Sequence, residues 1–279
     1  MTKQHENTRN NKLWKVITSI LPILISVIAL VFSGYTFYDM KIENKPNIKL
    51  VQNLWSNTPS FSLLNESTAK LDQVPYPTYL MYIPTKVYWN VQGKTQSNLA
   101  LSPVSYDAIE EQTNGNEGTK ATISKSKLPK EFKSKFGQKD LIKSKKVKLS
   151  KDIELHAETL PFLVIISPVE YKYRGGLKSK ILLNTPNLSE DITEEDYKNI
   201  REYTKDNADL VVDFKKSKKK RESVYVTANK KIEEKLKSIE EQNHNKEKSL
   251  RFLGGKKGGY GSILKKLNED ISPIDPLEK

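Results

Sequence analysis

The chain has 279 residues, with 47 Lys and Arg against 34 Asp and Glu, which gives a net charge of +13. It contains no cysteine and three histidines, His5, His156 and His244. The absence of cysteine excludes disulfide frameworks, thiol nucleophiles, thiolate zinc sites and cysteine-ligated iron–sulfur clusters. The length allows one large domain or two small ones.

The first element is an uncharged run over residues 16–38, in which 16 of 23 residues are apolar or aromatic. About 20 such residues span the ~30 Å hydrocarbon core of a bilayer. Trp14 lies at one end and Tyr38 at the other, as in an aromatic belt. We therefore predict a basic N-terminal tail over 1–15 and a single-pass transmembrane helix, an uncleaved signal-anchor, over 16–38.

A cleaved signal peptide and a buried core helix are the alternatives for this run. A signal peptide has an apolar region of ~7–15 residues and a small-residue cleavage site. The run is longer than that, and Phe32-Ser33-Gly34 is a poor cleavage site. These features favour the uncleaved anchor.

The basic residues that flank the run bear on its orientation. Four precede it and three follow it: Lys3, Arg9, Lys12 and Lys15, then Lys41, Lys45 and Lys49. Because cytoplasmic flanks carry the excess of Lys and Arg, this count mildly favours an internal N-terminus and an external body.

The body begins after Pro46, where the apolar pattern changes to the period of two that is typical of strands. Short candidate strands with turns between them predict a mainly-β domain, either a sandwich or a small barrel, over 46–188, with a Lys-rich insertion over 119–149. The candidate strands are 48–52, 79–91, 99–106, 153–157, 162–166 and a hairpin over 171–183.

From 189 to 279 the pattern predicts an α-helical, basic C-terminal region that ends in a flexible tail. Thr193 to Asp196 resembles a capping box at the start of a helix that runs towards Lys205. Residues 223–241 carry an apolar stripe at three- and four-residue spacing, which predicts an amphipathic helix that could pair with a second copy or a partner. The stripe consists of Tyr225, Ala228, Ile232, Leu236 and Ile239.

The positive charge lies in two islands. Residues 119–149 carry +9 and residues 215–221 carry +6, so the rest of the chain carries −2. Concentrated basic charge is typical of a surface that binds a polyanion, and the predominance of Lys over Arg favours contact with a phosphate backbone. The predicted polyanion-binding residues are Lys125, Lys127, Lys130, Lys133, Lys135, Lys143, Lys145, Lys146, Lys148, Arg174, Lys215, Lys216, Lys218, Lys219, Lys220 and Arg221.

Aromatic residues near these lysines are candidates for base stacking, which single-strand binders use. They are Phe132, Phe136, Tyr171 and Tyr173. The alternative for each ring is ordinary packing on the sheet, and a Lys-rich loop can also be a solvated linker. The polyanion can be RNA or single-stranded DNA, an anionic lipid surface or a wall polymer.

No catalytic signature accompanies these features. The sequence lacks a phosphate-binding loop, a zinc-protease motif, a nucleophile elbow and an EF-hand loop. The acids over 190–196 lie at a helix start, where they complement the helix dipole. We therefore predict a protein that is not an enzyme and has no metal or cofactor.

In outline, the chain resembles the membrane-anchored phage abortive-infection proteins of low-GC Gram-positive bacteria. The span at 16–38, the Lys-rich islands and the composition rich in Lys, Asn and Ile carry this resemblance. It implies a nucleic-acid-binding body on the cytosolic side, which the flanking charges do not favour, and a role in phage defence. The alternative is an extracytoplasmic β-sandwich interaction protein of the cell envelope or of a conjugation complex.

Overall fold

The computed structural model describes residues 4–43, 45–71, 77–91, 94–105, 109–112, 121–134, 145–148, 154–205, 208–213, 222–241 and 267. Within them an N-terminal apolar helix precedes a mostly β-sheet body and a C-terminal helix, as the sequence predicts. The elements are α1 (Gln4–Glu43), β1 (Ile48–Asn53), β2 (Ser60–Asn65), β3 (Leu80–Val91), β4 (Lys94–Ser105), β5 (Ile109–Gln112), β6 (Ala121–Lys127), β7 (Lys145–Lys148), β8 (Glu154–Thr159), β9 (Val164–Tyr173), β10 (Gly176–Asn184), β11 (Ser189–Ile192), α2 (Glu194–Lys205), β12 (Val212–Asp213) and α3 (Val224–Glu241), with short 3-10 helices at Lys130–Phe132 and Ala208–Leu210.

The helix α1 contains a segment, Ser19–Tyr38, that is long and apolar enough to cross a membrane. Its mean hydropathy is 2.2 and none of it is buried against the body, although a signal sequence near an N-terminus has the same properties. The hydroxyls of Ser26 and Thr36 donate hydrogen bonds to the carbonyls of Pro22 and Phe32, at 2.8 and 2.7 Å. These polar side chains are therefore satisfied within the helix, as an apolar environment requires.

The strands form two sheets. The four-stranded sheet has the order β1-β2-β6-β5, and the larger one has the order β11-β10-β9-β3-β4-β12, with β8 on β3 and β7 on β8. All pairs are antiparallel except β12 with β4. The long strand β3 pairs with β4, β8 and β9, so it is the centre of the larger sheet.

A shared hydrophobic core joins the two sheets. One buried cluster includes Leu50 and Phe61 from the smaller sheet together with Ile165 and Leu182 from the larger one. At its edge the Gln52 amide donates hydrogen bonds to the Leu163 carbonyl and to Asn184 Oδ1, at 2.8 and 2.9 Å. The strand β1 therefore has a fixed position against β9 and β10.

Helix α3 covers the other half of the larger sheet. Its residues Tyr225, Ala228, Ile232 and Leu236 are all buried against strands of the same chain. Asn229 Oδ1 accepts a hydrogen bond from the Thr159 hydroxyl at 3.2 Å, and that hydroxyl is also 3.0 Å from the Thr85 hydroxyl. Four of the five residues of the stripe that the sequence proposes for self-association or partner binding are thus buried within the chain.

Several local predictions are confirmed. The Thr193 hydroxyl accepts a hydrogen bond from the Asp196 amide at 3.1 Å, so Thr193 caps α2 as its sequence pattern predicts. The predicted hairpin over 171–183 is β9–β10, with Arg174 and Gly175 at positive φ in the two-residue turn.

The limits of the predicted β domain differ from the observed sheets. Strand β11 extends the larger sheet to Ile192, beyond the expected boundary at 188. The segment 119–149, expected as an insertion, contributes β6 to the smaller sheet and β7 to the larger one.

Candidate nucleic-acid interface

Lysines of the first island lie on the outer face of the four-stranded sheet. In β6 the buried residues Ser124 and Ser126 alternate with the exposed residues Lys125 and Lys127. Because successive side chains of a strand point to opposite faces, both lysines lie on the face turned away from the core. The register places Glu111 of β5 opposite Lys125, whereas Lys127 is opposite Ile109.

The 3-10 helix Lys130–Phe132 continues this surface. It carries Lys130, which is exposed, and is followed by Lys133, whose Nζ donates a hydrogen bond to Asn57 Oδ1 at 2.8 Å. An ammonium group has three donors, so this bond leaves two for another acceptor. We refer to Lys125, Lys127, Lys130 and Lys133 as the basic face.

The ring of Phe132 lies beneath the basic face and has no exposed surface. Its carbonyl accepts a hydrogen bond from the Tyr225 hydroxyl of α3 at 3.1 Å. Burial of Tyr225 raises the pKa of its hydroxyl above the ordinary value, so the hydroxyl keeps the proton that it donates. A ring in this position supports the fold and has no face for a base, and we therefore remove Phe132 from the candidate stacking residues.

This hydrogen bond joins a residue of the first island to a residue that follows the second island closely in the sequence. Tyr225 lies four residues after Arg221, the last residue of the second island, and 93 residues after Phe132. The first turn of α3 therefore follows the second island in the sequence and contacts the 3-10 helix of the first island.

The lysines of β7 lie elsewhere on the larger sheet. Strand β7 pairs with β8 alone among the described strands, which makes it an edge there, and the register places Lys146 opposite His156 and Lys148 opposite Glu154. The ring of His156 stacks on Tyr88, with centroids 5.0 Å apart. Lysines on edge strands also prevent edge-to-edge association, so Lys145, Lys146 and Lys148 have a structural explanation as well.

The hairpin tip between β9 and β10 forms a separate basic surface. The Arg174 guanidinium lies 5.1 Å from the centroid of the half-buried Tyr173 ring. The Tyr171 ring is buried and its pKa is raised by burial, so it is not accessible to a base. The tip is separated from Asn184 by the length of β10, about 26 Å at ~3.3 Å per residue.

Several predicted residues lie outside the described residues, and the structure gives no position for them. They are Lys135, Phe136, Lys143, Lys215, Lys216, Lys218, Lys219, Lys220 and Arg221. The structure thus places four of the predicted lysines on β6 and on the 3-10 helix and its next residue, three on β7 and Arg174 on the hairpin tip.

One residue with the chemistry of a stacking platform is not among those that the sequence patterns predict. Trp55, after β1, is 55% exposed beside the basic face. The signal for it is the alternation from residue 48 to 55, in which Lys49, Val51, Asn53 and Trp55 are more exposed than the buried Ile48, Leu50 and Leu54 between them.

Comparisons with protein-family models, with curated proteins and with solved structures found no match to this chain. Among the residues that the structure describes, no group of three or more His, Cys, Asp or Glu side chains is placed to hold a metal ion.

Proposed function

We propose that this protein is a membrane-tethered, non-enzymatic binding protein that holds single-stranded nucleic acid on its basic face. The observation that carries the proposal is the hydrogen bond between Tyr225 and the Phe132 carbonyl, because it joins the 3-10 helix of the first island to a residue that follows the second island by four positions in the sequence. A phosphate backbone that crosses the basic face would be met by lysines from β6 and the adjacent 3-10 helix.

Charge and side-chain type support a backbone contact. Lysine neutralises phosphates as a point charge but lacks the planar fork with which arginine reads base edges, so we expect little sequence specificity. Arg174 is the one predicted arginine within the described residues, and it lies on the hairpin tip. Binding should therefore depend on charge and be similar for RNA and single-stranded DNA.

The same proposal places the body in the cytosol, where nucleic acid is found, with Ser19–Tyr38 as the membrane span. We infer that the two sheets form a sandwich, because one buried cluster takes residues from both. The resemblance to membrane-anchored abortive-infection proteins is the reason to test for a role in phage defence.

The second candidate is an extracytoplasmic interaction protein of the envelope, which the four-to-three count of flanking basic residues favours. Protease treatment of intact protoplasts separates the two candidates. Digestion of the body from outside would exclude the cytosolic proposal, and protection until lysis would exclude the extracytoplasmic one.

A salt titration tests the binding itself. The full chain in nanodiscs of zwitterionic lipid is titrated with a 12-nucleotide single strand, dT12 or U12. Since log affinity falls by ~0.7 per neutralised phosphate for each decade of salt, four contacts predict a loss of about 50-fold between 50 and 200 mM. No binding at 50 mM would reject the proposal.

A pair of matched variants locates the binding. Replacing the four lysines of the basic face with Gln should remove about 3 from the log–log salt slope. The control replaces four exposed lysines elsewhere, Lys172, Lys178, Lys198 and Lys237, and changes the net charge equally. Equal effects from both variants would show that total charge, and not the basic face, controls binding.

A further inference from the structure

The loop that follows β1 lies alongside the segment that forms the second half of the basic face. Three hydrogen bonds join them: the Ser134 amide donates to the Leu54 carbonyl at 2.7 Å, the Leu128 amide donates to the Pro59 carbonyl at 2.8 Å, and Lys133 Nζ donates to Asn57 Oδ1 at 2.8 Å. Trp55 lies within this loop, between two of the bonded positions. Its backbone is therefore held beside Lys133.

The orientation of Trp55 follows from the residues on either side of it. Leu54 is buried in the core, whereas Asn53 and Trp55 are exposed. The register of β1, β2 and β6 places Asn53 in one row with Ser60 and Lys127, on the outer face of the sheet. Trp55 continues that outer face, so an exposed indole lies next to the lysines that the proposed function uses.

The indole differs in exposure from the aromatic residues that the sequence proposes for base stacking. Phe132 and Tyr171 are buried and Tyr173 is half-buried, whereas Trp55 is 55% exposed. Scattered exposed apolar residues need no explanation by themselves. An exposed tryptophan within a cluster of lysines, however, supplies both parts of a single-strand site: cations for the phosphates and an aromatic face for a base.

We propose that Trp55 is the base-stacking residue of the basic face, so that the ligand is a nucleic acid with accessible bases and not simply a polyphosphate. This inference rests on the proposed function, because the lysines supply the charge that holds the backbone in place. The indole then adds affinity that depends on the bases but not on their identity, since every base has a π-face.

The test compares two probes of equal charge: dT12 and a 12-unit abasic strand with the same phosphates. With the full chain in zwitterionic nanodiscs at 100 mM salt, Trp55→Ala should weaken dT12 binding about 5- to 150-fold, the range for loss of one stacked base, and leave abasic binding within about twofold. Trp55→Phe should retain most of the dT12 affinity, which shows that the aromatic face is the required group.

Tryptophan fluorescence supplies a second readout. Stacking on dT12 should quench the wild type and not Trp55→Phe, in which Trp14 and the buried Trp89 remain. An unchanged melting temperature in Trp55→Ala shows that the fold is intact.

The other outcomes overturn the inference in distinguishable ways. Equal loss of dT12 and abasic binding, or no loss of either, would mean that Trp55 does not stack on a base while the charge-based proposal still holds. Absence of binding to both probes by the wild type would reject the proposed function itself. Quenching by nanodiscs that contain phosphatidylserine, without quenching by dT12, would assign Trp55 to a lipid surface.

Discussion

The hairpin tip and the basic face each combine an aromatic ring with basic side chains, and they are built differently. At the hairpin tip, Tyr173 and Arg174 are neighbours in the sequence, and the guanidinium of Arg174, the first residue of the two-residue turn, lies over the Tyr173 ring. At the basic face, Trp55 and Lys133 are 78 residues apart and are brought together by hydrogen bonds between two loops above the buried Phe132.

The difference indicates which place can bind a ligand. The Tyr173 ring is half-buried, and the tip includes the apolar residue Leu177, which is 62% exposed. The basic face has its cations distributed around an exposed indole and is supported by the core through Tyr225. We therefore expect a substitution beneath the basic face to lower the stability of the fold strongly. A substitution at the hairpin tip should leave that stability nearly unchanged.

The largest expected effect is on stability and tests this dependence. Phe132→Ala removes a fully buried ring and should lower the free energy of unfolding by about 3–5 kcal/mol. Leu177→Ala at the hairpin tip should change it by less than about 0.5 kcal/mol, because that side chain is exposed. Urea unfolding of the two variants measures both; similar losses would contradict the comparison.

A second variant separates stability from binding. Thr193→Ala removes the N-cap of α2, which lies at neither basic surface, and should cost about 1 kcal/mol of unfolding free energy. Its dT12 affinity should remain within about twofold of the wild type. A large loss of affinity would mean that binding follows global stability and not the local arrangement of the basic face.

A third prediction concerns pH and the contact between Tyr225 and Phe132. Burial raises the pKa of Tyr225 above its ordinary value of about 10, so above pH 10 the unfolded chain loses a proton that the folded chain keeps. The unfolded state then binds fewer protons, and the free energy of unfolding falls as the pH rises.

Tyr225→Phe lacks this proton and also lacks the hydrogen bond, which stabilises the wild type by about 1 kcal/mol. The variant should therefore be less stable at pH 8 and about equal to the wild type at pH 11. Tyr82 and Tyr171, whose pKa values are also raised by burial, are present in both proteins. Parallel pH profiles from pH 8 to 11 would contradict the burial of a protonated Tyr225.

The smallest expected effect is at the hairpin tip. Tyr173→Ala and Arg174→Ala should each change dT12 affinity by less than about twofold, since neither lies on the basic face. Gel shifts at 100 mM salt measure this directly. A tenfold loss from either substitution would move the binding surface to the tip.

The elements that sequence patterns predict here are those with a strong local signal. Thr193 caps α2, the three- and four-residue spacing of Tyr225, Ala228 and Ile232 marks α3, and Gly175 marks the hairpin turn. Strand β6 is not predicted because its two lysines resemble those of a charged loop, although Ser124 and Ser126, which alternate with them, are buried.

The arrangement of the basic face cannot be predicted from local sequence patterns, because it depends on contacts between distant residues. Phe132 is 93 residues from Tyr225, and no spacing rule relates them. The sequence suggested packing and base stacking as alternatives for Phe132, and only the tertiary contact with α3 separates them. Trp55 was missed because its exposure depends on the alternation of β1 continuing past the end of the strand.

Photo-cross-linking of the full chain to a single strand of 4-thiouridine, followed by mass spectrometry of the peptides, tests most directly that the basic face binds nucleic acid. We predict cross-links at Trp55 and within residues 125–133, which 200 mM salt should weaken. Cross-links confined to Tyr173 and its neighbours at the hairpin tip, or none at 50 mM salt, would contradict this assignment.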